Sequence, residues 1–184
     1  MKTESNVMYI TRLAVTLLLI TSLVAAALAG VNSITKPAIE ALKAQKTQDA
    51  IAAVLPGGYD KEITDFSDDT GLVSKVYAGE AGYAFEVTPG GFDNTITMMV
   101  GVDKNGNVLG IDIISHTETA GLGAVADAET PAGVSFREQF VGMTGTVTVT
   151  KDGGDVEAIT GATITSRAVC EGVSAALACA GKLG

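Results

Sequence analysis

Hydrophobic and polar positions change their period along this chain. Residues 13–34, LAVTLLLITSLVAAALAGVNSI, are apolar on every side and carry no charge. At a helical rise of about 1.5 Å per residue they cover about 33 Å, the thickness of a bilayer's hydrocarbon core, so a spanning helix is predicted. Residues 36–55 are rich in Ala, Lys, Gln and Glu, with Ile39, Leu42, Ile51, Val54 and Leu55 at loosely helical spacing. They predict a stalk helix continuing from the span, stopped by Pro56-Gly57-Gly58.

The period then shortens. Runs at 72–77, 83–87, 95–102 and 108–114 are rich in β-branched and aromatic residues and are separated by Gly, Asn and Asp, which predicts an antiparallel sheet. Asp103-Lys104-Asn105-Gly106-Asn107 has the composition of a hairpin turn. Phe136-Arg137-Glu138-Gln139-Phe140 reads as a short helical turn, 144–150 (TGTVTVT) as a further strand, and 151–155 as a turn. The chain closes on a helix over 166–183, whose Val169, Val173, Ala176, Leu177 and Ala180 share one face. The expected fold is α+β: a head at 1–12, an anchor at 13–34, a stalk and connector at 35–58, and an antiparallel-sheet domain at 59–184.

Composition narrows the function. With 47% apolar residues the chain is too hydrophobic to be disordered, and 12 basic against 21 acidic residues, a net charge of −9, leave little from which to build a nucleic-acid surface. One His and two Cys do not make a Cys/His zinc site without carboxylates, nor a four-cysteine iron–sulfur site. Cys170 and Cys179, nine positions apart on one predicted helix, stand about 13 Å from each other and read as unpaired buried residues. Ala27 and Ala29 offer a signal-cleavage pattern before Gly30, but the apolar run continues past it at spanning length, which favours a retained anchor. Lys2 and Arg12 ahead of the span, and an acid-rich body behind it, imply an N-terminus inside the cell and an exported body, although Lys36, Lys43 and Lys46 nearly balance the positive-inside count.

Two motifs fail on inspection. Asp103, Asn105 and Asn107 alternate as in a calcium loop, but Val108 stands where the sixth position needs glycine and Ile114 where the twelfth needs glutamate. Gly121-Leu122-Gly123-Ala124-Val125-Ala126 fits a loose dinucleotide pattern, yet lies in hairpin surroundings with no acidic residue near twenty positions on. Residues 160–166, TGATITS, carry more. A glycine permits close backbone approach, and hydroxyl residues stand at a helix N-terminus, where free N–H groups and a partial positive charge favour a phosphate. Arg167 in the first turn adds a candidate cation. The plainer alternative is that Thr163, Thr165 or Ser166 simply caps the helix.

The stretch Glu157-Ala158-Ile159-Thr160-Gly161-Ala162-Thr163 resembles the flavinylation motif, acid-x-x-Thr-Gly-Ala-Thr, of FMN-binding domains. In that family the last threonine is joined to FMN through a phosphoester by an ApbE-type flavin transferase with FAD as donor, and Thr163 matches that position. One branch, the G component (RnfG) of the Rnf ion-translocating ferredoxin:NAD oxidoreductase, is similar over nearly the whole chain. The similarity includes the anchor running into Asn32-Ser33-Ile34-Thr35-Lys36-Pro37, the segment His116-Thr117-Glu118-Thr119-Ala120-Gly121-Leu122-Gly123, and the extension Ile164-Thr165-Ser166. The FMN-bearing C component of the Na⁺-translocating NADH:quinone reductases is similar too, but its members are usually longer. Glu157 stands where the family most often has Asp, and Ala120 where it commonly has Pro.

The resemblance implies covalent FMN on Thr163, with Thr160, Gly161, Ala162, Ile164, Thr165, Ser166 and Arg167 around its phosphate. It also implies a flavin pocket at His116, Glu118, Gly121, Leu122 and Gly123, where Glu118 can accept a ring N–H and Leu122 can pack on the ring. The implied protein is a membrane-anchored electron carrier, not catalytic alone. Its implied partners are the other subunits of an Rnf-type complex, the transferase and the lipid bilayer. A non-redox anchored binding domain, with Thr163 as a mere cap, is the alternative from another class.

Overall fold

A computed structural model describes residues 2–183, with side-chain surroundings from residue 7 onward. Lys2 and Glu4, part of the expected head, have side chains outside the described residues. Helix α1 (Lys2–Val54) passes through Pro37 without ending. One compact unit ends at Gln45 and a second begins at Lys46.

In the first unit the apolar side chains from Leu13 to Ile34 are exposed, and the helix is long and apolar enough to cross a membrane. An apolar helix whose side chains are exposed among the described residues is the pattern expected of a lipid-facing span. Its hydroxyls are consistent with that solvent: Thr16 donates to the carbonyl of Arg12 (2.8 Å), Thr21 to Leu17 (2.9 Å) and Ser33 to Gly30 (2.8 Å), so each is satisfied by its own helix.

The second unit is built on five strands, β1 (Lys61–Ile63), β2 (Val73–Ala78), β3 (Gly82–Val87), β4 (Thr97–Asp103) and β5 (Val108–Ser115), antiparallel and adjacent in chain order. Helices α2 (Pro131–Glu138) and α3 (Thr163–Leu183) follow. Such a meander has no parallel crossover, so the glycines at 121–123 do not form a dinucleotide-binding turn. The hairpin between β4 and β5 is closed by the Asp103 carboxylate, which accepts the N–H groups of Asn105 and Asn107, both at 2.8 Å. That carboxylate serves the turn's own backbone.

Both faces of the sheet are covered. Val76, Phe85, Val87, Met98, Val100 and Ile111 form one core with Val169, Val173 and Ala176 of α3. On the other face Tyr77, Ala84, Met99 and Ile114 meet Ala50, Ile51, Val54 and Leu55 at the end of α1. Strand β4, buried from Met98 to Val102, therefore reads as a continuous apolar run instead of an alternating one. Gly101 has no alternative in this packing, since a Cβ there would lie 2.0 Å from the Val54 carbonyl oxygen. The compact unit thus starts inside the segment expected to be stalk. Burying Ile51 and Leu55 contributes about 1.5–3 kcal/mol each and fastens the base of the helix to the sheet.

Three further expectations change. Residues 144–150 form no strand of the sheet: Val149 makes an isolated parallel bridge to Val156, and Ser174 Oγ accepts the Val147 N–H at 2.8 Å in place of a neighbouring strand. Strand β1, short and largely exposed, lies outside the expected runs and joins the strands that form at the other four of those five runs. The last helix begins at Thr163 and not Ser166, which puts the threonine of the motif in its first turn.

Candidate functional site

Residues 159–166 form a tight turn into α3. The N–H of Ala162 reaches the carbonyl of Ile159 (2.9 Å), and Gly161 takes φ +78°, a conformation that favours glycine. Ser166, fully buried, fastens the turn from inside: its Oγ accepts the Ile159 N–H and donates to the Ala162 carbonyl, both at 3.0 Å. Ser166 is therefore a structural brace of the turn. The Ser166 N–H also reaches the Ala162 carbonyl (3.0 Å), so the amides of Thr163, Ile164 and Thr165 are the unpaired donors of the helix start.

These residues open onto a cleft of about 290 Å³, walled on one side by Gly161, Ala162, Thr163, Ile164 and Thr165 and on the other by Phe92, Glu118, Thr119, Leu122 and Gly123. Glu118 fixes the two walls together. It is buried; its Oε1 accepts the Phe92 N–H (2.8 Å) and its Oε2 accepts the hydroxyl of buried Thr165. Two glycines make room for it. A Cβ on Gly91 would lie 2.3 Å from Glu118 Oε1, and one on Gly123 would lie 2.5 Å from both Glu118 Oε2 and Thr165 Oγ1. A loop acid that is ordinarily solvated here joins the loop before β4, the loop after β5 and the start of α3.

The rim is apolar. Phe92 is 65% exposed, Leu122 44% and Ile164 49%; of the large hydrophobic side chains exposed in the second unit, only Val141 lies elsewhere among the described residues. Exposed hydrophobics concentrated at one cleft mark a surface made to be covered by a ligand or partner.

The cation at the cleft is Lys151, whose Nζ donates to Thr163 Oγ1 at 3.1 Å. Arg167, the cation expected from the sequence, is turned away: Nε and Nη2 form a fork with Asp152 (2.6 and 2.7 Å), and it lines a different groove, with Cys170 and Glu171. The hydrogen bond from Arg167 holds the Asp152 carboxyl below the usual carboxylate range and raises the guanidinium in return. Burial pushes the neighbouring Cys170 thiol up to about 12, so it stays protonated; Cys170 and Cys179 are free and buried.

The other expected residues divide. His116 does not line the cleft; its Nδ1 accepts the Glu118 N–H (3.1 Å) and its Nε2 lies 3.6 Å from Asp127, which makes it the brace of the loop that carries Glu118. Burial raises the Asp127 carboxyl, with His116 opposing. Gly121 (φ +75°) and Thr160 line an adjoining hollow. Sequence reasoning missed Phe92 and Lys151, and had Thr119 only as part of the segment His116–Gly123. Of these Lys151 left a signal, as the sole basic residue between Arg137 and Arg167.

Residues 91–178 match the FMN-binding domain family, and every residue lining the cleft falls in that range. The chain is 32% identical to the G component of the ion-translocating oxidoreductase complex of Methanosarcina acetivorans, over 91% of this chain and 93% of the relative. It is 33% identical to the G component of the Na⁺-translocating ferredoxin:NAD⁺ oxidoreductase complex of Acetobacterium woodii, over 89% of this chain and 87% of the relative. The G component of an ion-translocating oxidoreductase complex from Haemophilus influenzae is 33% identical over 77% and 75%. By these matches over most of both lengths, and by the FMN-binding domain that contains the whole cleft, the chain belongs to the RnfG family, the G components of ion-translocating oxidoreductase complexes.

Proposed function

We propose that this protein is the membrane-anchored flavin subunit of an Rnf-type ferredoxin:NAD⁺ oxidoreductase, relaying electrons with FMN joined through its phosphate to Thr163. One observation carries the reading: Thr163 lines an apolar-rimmed cleft at a helix start whose first three amides are unpaired among the described residues, and its hydroxyl lies 3.1 Å from an ammonium. The residues fit the cofactor at both ends. Amides and Lys151 suit a phosphodiester, whose charge the helix start also favours. Phe92, Leu122 and Ile164 offer apolar surface to a flat ring. The cleft, about 290 Å³, is small for such a ligand, so part of the ring would remain open to partner subunits, as a relay requires.

FMN supplies the electron chemistry, and the protein supplies position and electrostatics. Thr163 tethers, which maintains occupancy outside the cell where free FMN is undependable and keeps the ring at high effective concentration near its partners. Glu118 holds the two walls of the cleft together. Residues 13–34 hold the domain to the bilayer, with the N-terminus inside, and an ApbE-type transferase loads the flavin from FAD. The test is production with an active transferase in a host that exports the domain. A fluorescent band that survives denaturing electrophoresis supports the reading. A folded, dark wild-type protein under those conditions overturns it.

A further inference from the structure

Resting on Thr163 as the acceptor, we propose that Lys151 assists the attachment reaction itself, steadying the threonine oxygen as it takes the phosphoryl group and then holding the phosphodiester charge. In that step Thr163 Oγ1 attacks the phosphorus on the flavin side of a flavin dinucleotide. The Oγ1–P bond forms, the pyrophosphate P–O bond breaks, AMP leaves, and the hydroxyl proton passes to a base of the transferase or to water; nothing is oxidised or reduced. An ammonium cannot take that proton, so the part played by Lys151 is electrostatic: a donor aimed at the atom where negative charge grows.

The local structure sets Lys151 apart for this. It sits in a 3₁₀ turn, Thr150–Asp152, tied down by the Asp152 N–H to Val149 carbonyl bond (2.8 Å) and the Val149–Val156 bridge, and closed by Gly153 at φ +88°. The nearest carboxylate along the chain, Asp152, is taken up by the Arg167 fork, so the two neutralise each other. Among the described residues no carboxylate stands within 4.0 Å of the Lys151 ammonium. In a chain of net charge −9 this leaves one unspent cation on the acceptor oxygen.

The test uses unmodified full-length protein in detergent, an ApbE-type transferase and FAD, following covalent flavin by fluorescence of the denatured band and by intact mass. At saturating protein, K151Q lowers the rate roughly tenfold to a hundredfold, the scale of one charge-assisted hydrogen bond. K151R restores it to within a few-fold, and both unfold at the wild-type temperature, Lys151 being exposed. K151M, which keeps the aliphatic stem, replaces K151Q if the glutamine unsettles the turn. Wild-type rate in the neutral variant overturns the proposal. So does a loss confined to the KM for the protein, which marks docking to the transferase, or an equal loss in K151R, which marks a role other than charge. If the wild-type protein itself takes no flavin from an active transferase, the Thr163 assignment fails instead.

Discussion

Replacing Thr163 by valine removes covalent flavin completely and leaves the domain folded. Valine keeps the shape of threonine and lacks only the hydroxyl, whose bond to Lys151 lies at the protein's surface. The loss in stability is therefore expected to be below about 1 kcal/mol. No neighbour takes over. The Thr165 hydroxyl is buried and committed to Glu118, Ser166 braces the turn from beneath, and Thr160 lines the adjoining hollow. After incubation with transferase and FAD the variant should give a dark denatured band and an unmodified intact mass, with an unchanged unfolding midpoint. A bright T163V band would put the acceptor on another residue.

The second large effect is on stability. Glu118→Ala should cost about 2–4 kcal/mol, because the Phe92 N–H loses its acceptor and the buried Thr165 hydroxyl is left without one. The two cleft walls then lose their shared member, so Glu118→Ala should also take flavin poorly, although it keeps Thr163 and Lys151. Glu118→Gln retains one acceptor oxygen and should lose less. Denaturant unfolding of E118A, Thr165→Val and the double variant gives the coupling directly. The double variant should be more stable than the sum of the single losses allows, by at least about 0.5 kcal/mol, since valine removes the orphaned hydroxyl. Strict additivity would show that Glu118 and Thr165 do not act together.

The sequence made some of this legible and not the rest, for physical reasons. The charge-free run at 13–34 needs no tertiary partner to be recognised, and the apolar strands β2 to β5 carry their burial in their residue types. The Thr-Gly-Ala-Thr motif is local in sequence and local in structure, so Thr163 could be singled out. Contacts that depend on distant segments could not be read. TGTVTVT alternates as a strand should, but its Val147 amide is taken by the Ser174 side chain, twenty-seven positions away. Arg167 adjoins the motif and has the look of its cation, yet Asp152 holds it, and the ammonium on Thr163 comes from Lys151, twelve positions earlier. The resemblance names Glu118 as a pocket residue, but nothing local announces that Gly91 and Gly123 leave space for its buried carboxylate or that it joins Phe92 to Thr165. The end of α1 likewise reads as stalk, since only the packing shows that Gly101 admits Val54 against the sheet.

Peptide mapping of the protein taken from its native membranes bears most directly on the claim that it is a tethered electron carrier. The peptide containing Thr163 should carry the mass of FMN less one water, with fragmentation locating the addition on that residue. An unmodified Thr163 in every molecule, or flavin attached only elsewhere, would contradict it.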